Sequence, residues 1–388
     1  RGCATIVTTF GTFTTRFALG SLSSGKATKG RMIEWDAPTS SAYIAAGQLL
    51  QQTTPFTALS GKYVFSLSGV DSNSIPGRIA GAGALTASSG SFSSGEEDID
   101  DAGTLSHYTG MTGTYGSVDA NGRFTGTTAI TSGPTSTDVF YMVSSSQLLV
   151  LSTDTPGTNV IVAGEVRGQS GTFSNSSVSG KLVLSMMGLN SGGSGGNAGF
   201  GLFNITGSGS LTGTIYEDDA GTWNTPNTVT CTYSVAANGR MPFSGSGCGK
   251  HPAVVYLSSA NNGFLLGQDN SVTFGQVEAQ TGSSFTTASV SGTLFQGPME
   301  VVGQGAEAGV GIATLDGSGG VSSTNDSTST TYQQADQTGT ATLTVNSDGT
   351  IISSDKPGLI TGIIVSSTQV VIVDNQGSSY PMASPVSK

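Results

Sequence analysis

The chain has 388 residues and carries 25 Asp and Glu against 14 Lys and Arg, a formal net charge of −11. Charged residues make up only 10% and glycines number 58, so the low-apolar, high-charge signature of a disordered chain is missing. The acidic balance, with no basic stripe, excludes the electrostatic footprint of a nucleic-acid binder or an anionic-membrane binder, and no apolar run reaches the roughly 20 residues of a membrane helix.

Residues 1–53 read as the C-terminal half of a unit that recurs later in the chain. Phe13 to Leu19 parallels Val139 to Val143, Arg31 to Trp35 parallels Leu148 to Leu151, and Arg1-Gly2 falls where later Asn-Gly-Arg turns end. Cys3 is then a strand residue rather than a lipid-attachment site. An incomplete unit leaves a sheet edge open. Either a longer chain has been trimmed, or a neighbouring copy supplies strands.

Three fuller units follow, at 58–170, 178–281 and 290–388. The half-unit and the first two of these units end on Gly, any residue, Val or Leu, two residues, then Gln, at Gly47 to Gln52, Gly164 to Gln169 and Gly275 to Gln280, with spacings of 117 and 111 residues; the last unit, ending at Tyr380 to Lys388, lacks the closing Gln. A Ser-Gly start precedes each apolar run, at Ser60, Ser179 and Ser291. A turn signal recurs at Asn121-Gly122, Asn238-Gly239 and Asp348-Gly349, where a two-residue type I′ hairpin is expected.

Each unit of about 115 residues reads as eight short strands joined by tight turns, without the long crossover helices that parallel sheets need. The expected fold class is all-β: tandem eight-stranded antiparallel meanders closed into barrels of lipocalin or avidin type, with a two-sheet sandwich as the alternative. Gln169 to Ser177 and Thr281 to Ser289 read as Ser/Thr linkers, and the Gly-rich run Ser191 to Gly196 as a flexible connection, since it lacks the Lys and the helix of a phosphate loop.

The densest charge is Glu96-Glu97-Asp98-Ile99-Asp100-Asp101 beside Ala102-Gly103, echoed at Glu217-Asp218-Asp219 and faintly at Asn325-Asp326. Asp98, Asp100 and Asp101 are candidate calcium ligands, because alternate oxygens beside a Gly turn suit a hard cation. The rival reading is a charged strand that resists edge pairing. Cys231 and Cys248 flank the Asn238-Gly239 turn and form a candidate disulfide. His107 and His251 sit in non-equivalent contexts, which argues against a shared Ser-His-Asp chemistry. Trp35 and Trp223 could be sugar platforms but occupy non-equivalent places.

Together these markers resemble a group of secreted tandem-repeat β-proteins encoded by acidobacteria and other soil bacteria. Tyr63, Phe65, Gly69, Asp98, Tyr115, Val118, Asp119, Gly122, Arg123, Phe140 to Ser145 and Gln169 carry the resemblance best. The resemblance implies export and repetition and brings no catalytic residues. The resulting expectation is a non-enzymatic protein, extracellular or at the cell surface. It would be a string of barrels forming a stalk, fibre or adhesive layer, self-associating into a homopolymer by strand complementation, with no cofactor beyond calcium. The alternative is a binding module whose barrels hold small apolar ligands or glycans.

Overall fold

The computed structural model describes residues 1–9, 11–36, 45–70, 77–131, 133, 135–154, 160–189, 195–248, 252–268, 271–297, 307–329, 331–374 and 382–388. No α-helix occurs among them. His251 and most of the Gly-rich run lie outside the described residues.

Strands β1 (Gly2–Thr8), β2 (Gly11–Ser23), β3 (Lys26–Glu34) and β4 (Ala46–Leu50) form an open antiparallel sheet in chain order. Three closed eight-stranded antiparallel barrels follow. The first comprises β5 (Gly61–Val70), β6 (Arg78–Ser88), β7 (Ser91–Asp101), β8 (Thr104–Tyr115), β9 (Arg123–Ala129), β10 (Thr135–Ser144), β11 (Gln147–Ser152) and β12 (Ile161–Gly168). The second comprises β13 (Gly180–Leu189), β14 (Gly196–Ile205), β15 (Ser210–Asp219), β17 (Asn227–Tyr233), β18 (Arg240–Ser244), β19 (Val254–Ser259), β20 (Asn262–Leu266) and β21 (Thr273–Ala279), with the two-residue β16 (Thr222–Trp223) appended to β15. The third runs through β22 (Gly292–Gln296), β23 (Ala308–Leu315), β24 (Gly320–Thr328), β25 (Gln333–Val345), β26 (Thr350–Ser353), β27 (Ile360–Ser366), β28 (Gln369–Asp374) and β29 (Met382–Ser387).

Each barrel is a meander whose last strand pairs with its first: β12 with β5, β21 with β13, β29 with β22. Closure leaves no free edge, and the barrel rather than the sandwich is the architecture.

The Asn-Gly turns differ from the two-residue form expected. Gly122 N donates to Asp119 O at 3.0 Å while Asp119 N donates to Arg123 O at 2.9 Å, and only Gly122 has a positive φ, +76°. This is a three-residue connection with glycine at the left-handed position. The other two turns repeat it, through Ala236 and Gly239, then Asn346 and Gly349. The geometry turns the carbonyls of Asn121, Asn238 and Asp348 outward, where a second unit reaches them.

The segments expected to be linkers are ordered parts of the barrels they precede. Gln169 N continues the β12–β5 ladder by donating to Lys62 O at 2.7 Å, while its side-chain amide crosses to the next barrel and donates to Asn238 O and Leu257 O, both at 2.7 Å. Gln280 does the same to Asp348 O and Ile364 O, both at 2.9 Å, and Gln52 to Asn121 O at 3.0 Å and Met142 O at 2.7 Å. The next backbone amide follows: Thr53 to Val143, Ser170 to Ser258, Thr281 to Val365. Phe173 and Phe285 are then buried in the cores they cap, so no flexible joint separates the units.

The barrels also pack side by side. Val64, Ala80, Ala82 and Ala84 on the outside of the first barrel share one apolar cluster with Phe200, Val254, Tyr256, Phe264 and Phe274 of the second, and with Ile363, Val365, Val371 and Val373 of the third. A strand buried on both faces loses its polar alternation, and β19 is buried from Val254 to Ser258 without a break. A string of separate beads is therefore corrected to a compact cluster.

The open sheet completes that cluster. Asp98 of the first barrel takes Arg240 of the second in a bidentate pair at 2.7 and 2.8 Å. Asp326 pairs with Val310 as Asp98 pairs with Ala82, and Asp326 takes Arg1 at 2.9 Å and Arg16 at 3.2 Å. Ala18 and Ile33 of the open sheet pack on Phe295, Ala308 and Val310. The open sheet thus sits against the third barrel as the second sits against the first, while Gln52 ties it to the first barrel. The units close into a ring.

Candidate ligand cavity

The inward-facing positions of the three barrels differ, and the differences decide which can hold a ligand. In the second barrel Leu182, Leu184, Phe203, Leu211, Val229, Tyr233, Met241, Leu257 and Leu265 pack in one buried cluster. The first barrel is packed at one end only. There Phe92 lies 4.9 Å from Tyr115, and Phe124 stacks on Phe140 at 4.9 Å. Tyr115 OH donates to Leu59 O at 2.8 Å and Tyr63 OH to Ser145 O at 3.1 Å, so both phenols that close this end are satisfied.

Above that aromatic floor lies a cavity of about 340 Å³. Its wall is Phe65, Leu67, Ile79, Val150, Val162 and Val166 with their neighbours, and its far end carries Glu97, Asp101, Asp138 and Asp154. The period-2 alternation of a strand explains the mixture. On β7, Glu97, Ile99 and Asp101 point inward, while Glu96, Asp98 and Asp100 point outward. Gly81 makes room for Glu97, because a Cβ there would stand 2.9 Å from its Oε1.

Two of the carboxylates at this end, Glu97 and Asp138, are held away from their usual ionisation. Burial, then the charges of Asp138 and Asp98, pushes Glu97 up to about 8. Burial also pushes Asp138 up to about 6, against the lowering effect of the Ser136 hydroxyl that donates to it at 2.8 Å. Asp154 holds the Thr137 backbone amide at 3.1 Å through one oxygen, and its other oxygen is buried without a hydrogen-bond donor. The site is an apolar tube ending in acidic groups, with no cation lining it among the described residues.

The third barrel also encloses about 340 Å³, lined by Leu294, Leu343, Ile351, Val370 and Ile372 with several Ser and Thr. Its end carries both Asp355 and Lys356 rather than a set of carboxylates.

The residues singled out from the sequence are dispersed. Asp98 is fully buried between units, where both its oxygens are held by Arg240 and Tyr256 OH donates to Oδ2 at 2.6 Å. Asp100 accepts the Gly103 backbone amide at 2.8 Å and caps its own turn. Asp101 faces the barrel interior. Asp98 and Asp100 are thus on the opposite face from Asp101, and no group of three His, Cys, Asp or Glu side chains is placed for a metal among the described residues.

Cys231 and Cys248 are disulfide-bonded, the short 3-10 turn Ser246–Cys248 carrying the second thiol back toward β17. Cys3 is an exposed free cysteine within β1. His107 Nε2 lies 2.7 Å from Glu96 Oε1 on the outer face. Trp35 is covered by the Arg16 guanidinium at 4.6 Å, and Trp223 packs against the apolar cluster between barrels.

Glu97, Asp138 and Asp154 are not among the site residues that the sequence marks. Strict alternation applied to the acidic run would have divided it into an outward and an inward set. Asp138 and Asp154 carry no local motif and join the site only when β7 and β10 face each other across the barrel.

No protein-family model matches the chain, and no curated protein matches it. Among solved structures it is similar to kievitone hydratase from Nectria haematococca, with 8% identity and a TM-score of 0.21 over 58% of this chain and 96% of that one. It is also similar to a mutant of the vaccine antigen transferrin binding protein B from Haemophilus parasuis, with 9% identity and a TM-score of 0.19 over 96% of this chain and 85% of that one. Likenesses this distant carry no functional argument.

Proposed function

We propose that the chain is an exported binding protein whose first barrel takes a small apolar amine. The observation that carries this reading is the cavity of about 340 Å³ that joins an apolar wall to Glu97, Asp101, Asp138 and Asp154. That volume lies within the usual range for small-molecule sites. An ammonium group delivered to the acidic end would draw Glu97 and Asp138 back toward ionisation and release protons as it binds. The disulfide between Cys231 and Cys248 supports an oxidising, extracytoplasmic setting.

Isothermal titration at pH 7 with octylamine, octanol and octanoate tests this. The reading expects saturable binding of the amine, weaker binding of the alcohol and none of the carboxylate. Equal binding of all three, or of none, overturns it.

A second reading is a surface protein that assembles through its open sheet. Its support is that β1 and β4 each pair on one side only among the described residues, and an unpaired strand edge is a template for another chain. Electron microscopy of the purified protein distinguishes the two: filaments support assembly, and monodisperse particles count against it.

A further inference from the structure

We propose that the polar cavity at the centre of the ring is a binding site for a small oxyanion, held by Arg31 with Lys29 at its mouth. The site is separate from the barrel cavity and does not rest on the reading given to it. The four units converge on a space of about 410 Å³. The open sheet brings Lys29, Arg31 and Gln48; the first barrel Gln147, Glu165 and Arg167; the second Gln276 and Glu278; the third Gln369.

These residues come from equivalent places in the repeat. Lys29 lies opposite Leu50, Gln147 opposite Arg167 and Gln369 opposite Ser387, and in each case the partner belongs to the closing strand of its unit. Gln48, Glu165 and Gln276 occupy the same position of the closing Gly-x-Val-x-x-Gln motif. The motif therefore builds the centre of the ring with one residue while its terminal Gln ties the units together.

The other ionic groups in the wall are already engaged. Glu165 is held by Arg167 through both oxygens, at 2.7 and 2.9 Å, and by the Gln147 amide at 2.7 Å. Arg167 also stacks on the Phe264 ring at 4.5 Å. Glu278 accepts the Gln369 amide at 2.7 Å.

Arg31 is different. It is only 9% exposed, and its Nε and Nη1 find no hydrogen-bond acceptor among the described residues. Burial lowers its pKa to about 10, against a partial rescue by the Glu165 charge. A buried guanidinium with unfilled donors is costly unless an acceptor meets it. Its planar fork matches carboxylate or phosphate oxygens. Lys29 is exposed, so the cavity is open to solvent at a cationic residue.

The test uses the full chain and thermal denaturation, with sodium phosphate or sodium malonate titrated against sodium chloride at matched ionic strength. A saturable rise in Tm with phosphate, with malonate or with both supports the site, and the anion that acts alone identifies phosphate or carboxylate as the preferred group. Lys29→Gln, on an exposed side chain, is expected to weaken binding about tenfold, and Arg31→Gln to abolish it. No rise beyond that in chloride overturns the proposal, as does binding that Lys29→Gln leaves intact. Should Arg31→Gln fail to fold, the Lys29→Gln comparison decides alone.

Discussion

The side-chain amide of Gln169 reaches out of the first barrel and donates to the carbonyl of Asn238 in the second, at 2.7 Å. The same amide donates to Leu257 O at 2.7 Å, so one planar group clamps a turn and the strand beside it. Because Gln52 and Gln280 make the matching pairs, the unit boundary is a repeated piece of structure.

Replacing Gln169 by Ala removes both donors from partly buried carbonyls and is expected to cost about 1–3 kcal/mol. Gln169→Glu keeps the shape but turns an acceptor toward two carbonyl oxygens, and is expected to cost at least as much. Urea denaturation followed by tryptophan fluorescence measures both; a midpoint unchanged in either variant would contradict the clamp.

Asp98 tests the lateral interface. Its side chain is 1% exposed and its Arg240 partner 18%. Asp98→Ala leaves the guanidinium and the Tyr256 hydroxyl without their acceptor, with an expected loss of about 3–5 kcal/mol. The double variant Asp98→Ala, Arg240→Met should recover part of that loss, since the unpaired charge is then gone. A double-mutant cycle with no coupling would show that the pair does not hold the barrels together.

Glu97 sets a pH dependence. Its pKa is raised from 4.5 to about 8 in the fold. Between those values the unfolded chain has lost its proton and the folded chain keeps it, so stability falls as pH rises through that window. Asp138, raised from 3.8 to about 6, adds a decline of the same sign at lower pH. Glu97→Gln stays neutral throughout, and its Tm is expected to vary less between about pH 5 and 8 than that of the parent chain. Parallel profiles would place Glu97 in water.

Cavity filling separates the first barrel from the second. Val150 lines the open space of the first barrel, and Val255 lies fully buried in the packed second barrel. Val150→Phe is expected to change stability by less than about 1 kcal/mol while reducing amine binding. Val255→Phe overpacks a filled core and is expected to cost about 1–3 kcal/mol. Thermal unfolding of both variants checks the contrast, and equal losses would mean that the first barrel is filled as well.

Much of the fold was legible because strand periodicity and turn residues act locally. The alternation around Asn121-Gly122 marks a hairpin from a few neighbouring residues, and three copies of the turn mark the repeat. The exchange between Gln169 and Asn238 joins residues 69 apart, so both motifs were visible while their meeting was not. The side-by-side packing had a local trace in Val254-Val255-Tyr256-Leu257, an apolar run with no outward polar residue. Such a run fits a strand covered on both faces, but a periodicity reading assigns it to one core. Composition marks the Ser/Thr-rich stretches as linkers because it is blind to Phe173 plugging the barrel that follows it.

Small-angle X-ray scattering of the monomer tests the closed arrangement most directly. A compact chain of this length has a radius of gyration of about 21 Å, and the ring of units predicts a value close to that. A radius of about 30 Å or more, with the drawn-out distance distribution of separated barrels, would contradict it.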